Sequence, residues 1–128
     1  MVKSILLIDD DFATNYLHQL MLEQLKMVKN IFIVDNGKQA LDILFDKQNK
    51  PKLVPDLILL DLNMPLMDGW SFINEYKKYV PATKSNIIMI TSSLNPKDQE
   101  KCQSNPYIKE IIVKPIEKKT LLRLLNTV

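Results

Sequence analysis

Four short apolar runs in this chain each lead into groups that can do chemistry. Ser4–Ile8 runs into Asp9, Asp10 and Asp11, Leu57–Leu60 into Asp61, Ile87–Ile90 into Thr91, and Ile111–Val113 into Lys114. Carboxylates, a hydroxyl and an amine are complementary if the four run ends meet in one crevice. Two carboxylates ~4 Å apart repel by about 4 kcal/mol at an effective dielectric near 20. Asp9, Asp10 and Asp61 together would therefore hold a cation, or keep a proton and titrate as a coupled set. Ligands that are all oxygen select a hard cation. Mg²⁺ fits best, because it accepts one or two carboxylates and keeps waters that a substrate phosphate can replace. Calcium fits less well, since the spacing of an EF-hand loop is missing. With the Lys114 ammonium and the Thr91 hydroxyl beside it, such a site suits a phosphoryl group, and Asp61 is the natural nucleophile, giving an aspartyl phosphate. A plainer role for Lys114, as a salt bridge to the acids, still places it in the site.

That chemistry needs a scaffold in which distant run ends converge. Together with Ile31–Val34 there are five apolar runs, continuous rather than alternating, as expected of strands buried on both faces of a parallel sheet. Helical patterns separate them. Phe12–Val28 carries Ala13, Leu17, Leu20, Met21, Leu25 and Val28 at three- and four-residue spacing. Lys38–Lys47 follows Asn36-Gly37, and a polar loop over 48–55 ends in Pro55. Trp70–Val80 is a third helix. Asn95-Pro96 is the cap and first position of a fourth, reaching Ser104. Glu117–Asn126 closes the chain, with Leu121, Leu122 and Leu125 expected to face inward. Five strand–helix alternations predict one α/β domain over residues 1–128, an open parallel sheet with helices on both faces. In such a sheet all strand C-termini share one edge, where ligands bind. Four strand ends then deliver the acids, Thr91 and Lys114 to one place.

Composition narrows the function classes. A 46% hydrophobic, 25% charged chain of 128 residues has the makeup of one folded domain rather than a disordered tail. All but one of the 17 basic residues are lysine, and they are scattered, which argues against direct nucleic-acid binding. No apolar run approaches ~18 residues, so membrane insertion is not expected. The N-terminus shows no secretory signal, and the single cysteine, Cys102, reads as an ordinary thiol suited to a reducing cytoplasm. His18 is the only histidine, which excludes a multi-histidine metal site; it is expected on a helix surface.

The stretches IDDD (Ile8–Asp11), PDLILLDLNMPLMDG (Pro55–Gly69), ITSS (Ile90–Ser93) and VKPI (Val113–Ile116) resemble the receiver domain of two-component response regulators, in its stand-alone, CheY-like form. The resemblance runs from the first strand to the fifth helix. It implies a doubly wound, flavodoxin-like five-stranded sheet of order 2-1-3-4-5. By the same resemblance Asp61 is the phosphoacceptor, Asp10 binds Mg²⁺ directly, Asp9 contributes through a water, and Asn63 offers its backbone carbonyl to the metal. Thr91 resembles the switch hydroxyl, Lys114 the lysine that pairs with the phosphoryl, and Pro115 the proline after a cis bond. Asp11 is left as a first-turn helix residue, Asp68-Gly69 as the turn opening the third helix, and Met64 and Met67 as loop packing.

The implied partners are a sensor histidine kinase or a histidine phosphotransfer protein upstream. Downstream, a protein target would meet the face of the fourth helix, fifth strand and fifth helix. The implied domain catalyses only its own phosphorylation and dephosphorylation, in the cytoplasm, as a monomer or a phosphorylation-dependent dimer. One position departs from the family pattern. An aromatic commonly stands three residues before the lysine, and here that residue is Ile111, β-branched and without a ring to swing. Either the loop after Thr91 then carries the switch, or the protein is a phosphate relay or sink with little conformational output. A receiver belonging to a longer hybrid kinase or multidomain regulator is a further reading. A flavin carrier of similar fold order would need a phosphate-cradling loop where DDDF stands. A haloacid-dehalogenase-type phosphatase would need a carboxylate where Asn63 stands.

Overall fold

A computed structural model describes residues 1–128. The order is β1 (Val2–Ile8), α1 (Phe12–Leu25), β2 (Val28–Val34), α2 (Gly37–Leu44), β3 (Leu57–Asp61), α3 (Gly69–Tyr76), β4 (Asn86–Thr91), α4 (Pro96–Ser104), β5 (Ile108–Val113) and α5 (Lys118–Leu125). The five strands form one parallel sheet in the order β2-β1-β3-β4-β5. This is the doubly wound fold that strict alternation requires, since right-handed crossovers place helices on both faces.

The central strands divide their side chains with period two. Leu6, Ile8, Ile58, Leu60, Ile87 and Met89 pack on one face with Leu44, Phe72, Ile73 and Cys102 of α2, α3 and α4. Ile5, Leu7, Leu57, Leu59, Ile88 and Ile90 pack on the other with Leu22 of α1 and Leu121, Leu124 and Leu125 of α5. Each of these fully buried aliphatic side chains contributes about 1.5–3 kcal/mol. Their purpose for the site is rigidity: the strand ends inherit the position of two close-packed layers.

Four helices start at the sheet's C-terminal edge with an Asx cap. Asp11, Asn36, Asp68 and Asn95 each accept a hydrogen bond from a backbone N–H two or three residues on. Each cap satisfies an otherwise orphaned helix donor, worth ~1 kcal/mol. The Asn95-Pro96 opening and the Asp68-Gly69 turn are as the sequence predicts, and Asp11 is the cap itself rather than a residue of the first turn.

Several expectations are corrected. α1 ends at Leu25, where Lys26 turns left-handed at φ 54°, and Val28 opens β2 instead of closing the helix. The cause is sheet pairing, since Val28 aligns with Val2. The buried face of α1 is Asn15, His18 and Leu22, whereas Leu17 and Leu20 are 40% and 38% exposed. His18 is therefore not a surface residue. This helix has apolar groups all round, so spacing alone fixes its phase poorly. α2 stops at Leu44, and Phe45 instead bridges antiparallel to Pro51, the intervening turn held by Asp46 Oδ1 accepting from the Gln48 and Lys50 amides. α3 ends at Tyr76, and α5 turns Leu121, Leu124 and Leu125 inward while Leu122 stays exposed. β2 and β5 are edge strands and only half-buried. No helix is long and apolar enough to cross a membrane.

Candidate functional site

The ladder aligns Ile8 with Leu60, Asp61 with Ile90, and Thr91 with Val113. Such alignment carries the ends of β3 and β4 and the residues just after β1 and β5 to one edge, and there Asp9, Asp61, Thr91 and Lys114 converge. One oxygen from each of Asp9, Asp10 and Asp61 lies within 4.8 Å of the others. Asp61 and Asp9 are 1% and 3% exposed, while Asp10 faces solvent. Lys114 Nζ reaches Asp9 Oδ2 at 3.3 Å and Asp61 Oδ1 at 3.5 Å.

The charges do not balance. Burial first, then the Asp9 charge and the Asp10 side chain, push the Asp61 carboxyl up to about 7, against the pull of Lys114. Burial pulls Lys114 down, but the Asp9 and Asp61 carboxylates outweigh it and the ammonium is held more firmly than usual. Asp61 Oδ1 accepts from the Asn63 backbone N–H at 3.3 Å, whereas Oδ2 is buried with no partner. A buried carboxylate oxygen left unpaired costs more than a lost hydrogen bond, and such orphans are rare outside functional sites. This atom calls for a proton or a cation. A donor set of oxygen alone, with neither sulfur nor imidazole, fits a hard divalent ion.

Thr91 is fully buried, and its hydroxyl donates to the Ser93 carbonyl at 2.9 Å while accepting from the Asn63 side-chain amide at 3.4 Å. Asn63 thus joins the loop after β3 to the loop after β4. The loop after β3 is pinned at both ends: Leu62 N–H donates to Ile90 O at 2.7 Å, and Gly69 N–H to Leu62 O at 2.8 Å. Glycine at 69 leaves room for close packing: a Cβ there would meet Met89 Sδ at 2.7 Å, Leu62 Cα at 3.1 Å and Asp61 O at 3.2 Å. Met64 is buried in the core and Met67 packs beside Gly37, both as loop packing. The Lys114-Pro115 bond is cis.

The site holds together every residue that sequence reasoning placed in it: Asp9, Asp10, Asp61, Asn63, Thr91 and Lys114. Sequence reasoning missed two supports. Asn15 Nδ2 donates to the Asp9 carbonyl at 2.9 Å, and the Ile116 N–H donates to His18 Nε2 at 3.3 Å. The signal available for these was polarity at core-facing helix positions, which needs the helix phase. It also missed a clasp between α3 and α4, where Trp70 Nε1–H donates to Asp98 Oδ1 at 3.1 Å and Lys101 Nζ lies 5.3 Å over the indole ring. Nothing in the sequence signals that pair. Ile111 is half-buried against the core, and Tyr107, the aromatic nearest to it in sequence, is tied by its hydroxyl to the Val80 carbonyl. Cys102 is buried, and that burial raises its thiol to about 11, so it is an inert core residue.

Residues 5–126 match the family model for the response regulator receiver domain. The chain belongs to that family. This receiver is 30% identical to a two-component response regulator from Cytophaga hutchinsonii, with a TM-score of 0.87 and 98% and 96% of the two chains covered. It is 25% identical to the receiver domain of a sensor histidine kinase from Pseudomonas aeruginosa, with a TM-score of 0.79 and 99% and 97% covered; that structure has a magnesium ion coordinated in its active-site cleft. A two-component response regulator of rice (Oryza sativa subsp. japonica) is 28% identical over 98% of this chain but only 54% of its own length. The chain thus spans about half the length of that curated relative. Its class is a receiver of two-component signalling.

Proposed function

We propose that residues 1–128 act as one receiver unit that takes a phosphoryl group onto Asp61. The donor is the phosphohistidine of a sensor histidine kinase or a histidine phosphotransfer protein. The observation that carries this is the buried, partnerless Oδ2 of Asp61, a carboxylate grouped with Asp9 and Asp10 and bridged by Lys114 through its other oxygen. Ionised Asp61 attacks phosphorus through Oδ2, the P–N bond breaks, and the imidazole leaves, giving an acyl phosphate. Mg²⁺, held by Asp10, Asp61 and the Asn63 carbonyl, with Asp9 acting through a water, would neutralise charge on the transferring oxygens.

Lys114 supplies the fixed positive charge. Its ammonium already bridges Asp9 and Asp61, so it moves little to reach a phosphoryl oxygen, and positioned charge of this kind is the main catalytic contribution in phosphoryl transfer. Thr91 changes partner: its hydroxyl leaves the Ser93 carbonyl to donate to the phosphoryl, which frees the loop leading into α4. The added charge of about −1.5 to −2 then shifts an existing equilibrium of that loop. Ile111 has no ring to turn inward, so the signal leaves through residues 92–101 toward the face of α4, β5 and α5. This reading places the protein in the cytoplasm, with a protein rather than nucleic acid as its target.

Incubation with acetyl phosphate and Mg²⁺, read by intact mass, tests the acceptor. The wild type should gain one phosphoryl and Asp61→Asn none. An Asp61→Asn variant that still gains one would refute the assignment.

A further inference from the structure

α1 is an unusual helix, in that two of its three buried residues are polar. Asn15 and His18 are 3% and 2% exposed and stand three positions apart, hence on one face. Each spends its polar atom on a different site loop. Asn15 holds the Asp9 carbonyl at the end of β1, and His18 Nε2 holds the Ile116 N–H just beyond Lys114. Burial holds the imidazole below its usual range, which keeps Nε2 a lone-pair acceptor.

The Ile116 side chain is buried in the core, but the backbone of the Lys114–Ile116 turn has few other hydrogen bonds to hold it. Pro115 has no N–H. The Lys114 N–H donates to Thr91 O at 2.8 Å, so the Ile116 N–H is the next donor along. The lysine backbone is therefore held between β4 on one side and His18 on the other. The same helix face that fixes the Asp9 strand end also fixes the lysine turn.

We infer that Asn15 and His18 form a strut that sets the spacing between the Asp9 carboxylate and the Lys114 ammonium, making His18 a positioning residue for phosphoryl transfer. The inference rests on the function proposed above. Without the Nε2 acceptor the Lys114–Ile116 turn keeps its buried Ile116 side chain but loses the hydrogen bond that orients its backbone, and the ammonium wanders from its 3.3 Å and 3.5 Å contacts. The carboxylates stay where β1 and β3 put them. Loss of His18 should therefore impair transfer and spare the metal site, whereas loss of Asn15 should loosen the Asp9 end.

The test compares wild type with His18→Met, which fills the space without an acceptor, and His18→Gln, whose Oε1 can stand in for Nε2. Phosphorylation by acetyl phosphate is timed at saturating Mg²⁺ and far below each melting temperature. Amide hydrogen exchange of Lys114 and Ile116 is followed in EDTA. His18→Met should react about 10-fold or more slowly, as for other positioning partners. His18→Gln should stay within about threefold of wild type, and the Mg²⁺ Kd of both should stay within about twofold of it. Ile116 and Lys114 should lose protection in His18→Met and keep it in His18→Gln. A His18→Met protein as fast and as protected as wild type would overturn the strut, as would a Gln variant as slow as the Met one. Failure of the wild type to take up a phosphoryl would sink the functional reading instead, and the exchange data would still decide the strut. If His18→Met fails to fold, His18→Asn, too short to reach Ile116, takes its place with the same expected losses.

Discussion

Replacing Asp61 by Asn should make the protein more stable when no divalent ion is present. Folded Asp61 has a pKa of about 7 against an ordinary 3.8, so above pH 4 the folded protein retains a proton that the unfolded chain has released. The penalty is absent below the unfolded pKa, grows as pH rises, and is complete above pH 7. A shift of about 3 units at 1.36 kcal/mol each sets a ceiling of roughly 4 kcal/mol. Asn removes the repulsion from Asp9 but also the attraction of Lys114, which keeps Asp9 as partner, so about 1–2 kcal/mol should survive. Urea melts in EDTA at pH 4, 6 and 8 read this directly: the two proteins should nearly coincide at pH 4 and separate by pH 8. Adding Mg²⁺ to ten times its Kd should then raise the wild type by about 1.4 kcal/mol and the Asn protein by less. A stability difference that does not change with pH, or an Asn protein that is weaker at pH 8 in EDTA, would refute the electrostatic reasoning.

Further outcomes follow from the same geometry. Asp10→Ala should weaken Mg²⁺ binding and acetyl phosphate labelling together; titration calorimetry showing normal affinity would separate the two. Beryllofluoride should change amide exchange across Thr91–Lys101, where the Thr91 hydroxyl gives up Ser93; changes confined to the residues touching the fluoride would leave a relay without an output switch. Gly69→Ala should lower stability by about 1–3 kcal/mol, because its Cβ meets Met89 Sδ and backbone at once; an unchanged melting temperature would show that the loop can shift freely.

The fold and the site were legible for one reason: four of the five strands carry their chemistry at the end of an uninterrupted apolar run. Ile8, Leu60, Ile90 and Val113 end those runs, and parallel topology alone brings their successors together. Helix phase was less legible. In α1 a single acid, Glu23, leaves little contrast between faces, so Leu17 and Leu20 looked inward while Asn15 and His18 were the residues buried. Those polar residues are tolerated inside because the Asp9 carbonyl and the Ile116 amide complete their hydrogen bonds, and such partners appear only once distant segments are folded. The start of β2 at Val28 was hidden for a similar reason, since pairing with β1 sets it rather than local propensity.

The clasp between α3 and α4 gives this receiver a built-in optical probe. Trp70 is the sole tryptophan, so its emission comes from one place. In the resting state a carboxylate holds the indole nitrogen and an ammonium lies over the ring face, and both belong to α4. Opposite charges at opposite parts of one chromophore bias its excited-state dipole. Any rotation of α4 away from α3 removes both at once. If α4 carries the signal as proposed, its movement can be followed as a wavelength shift in the unlabelled protein, in real time.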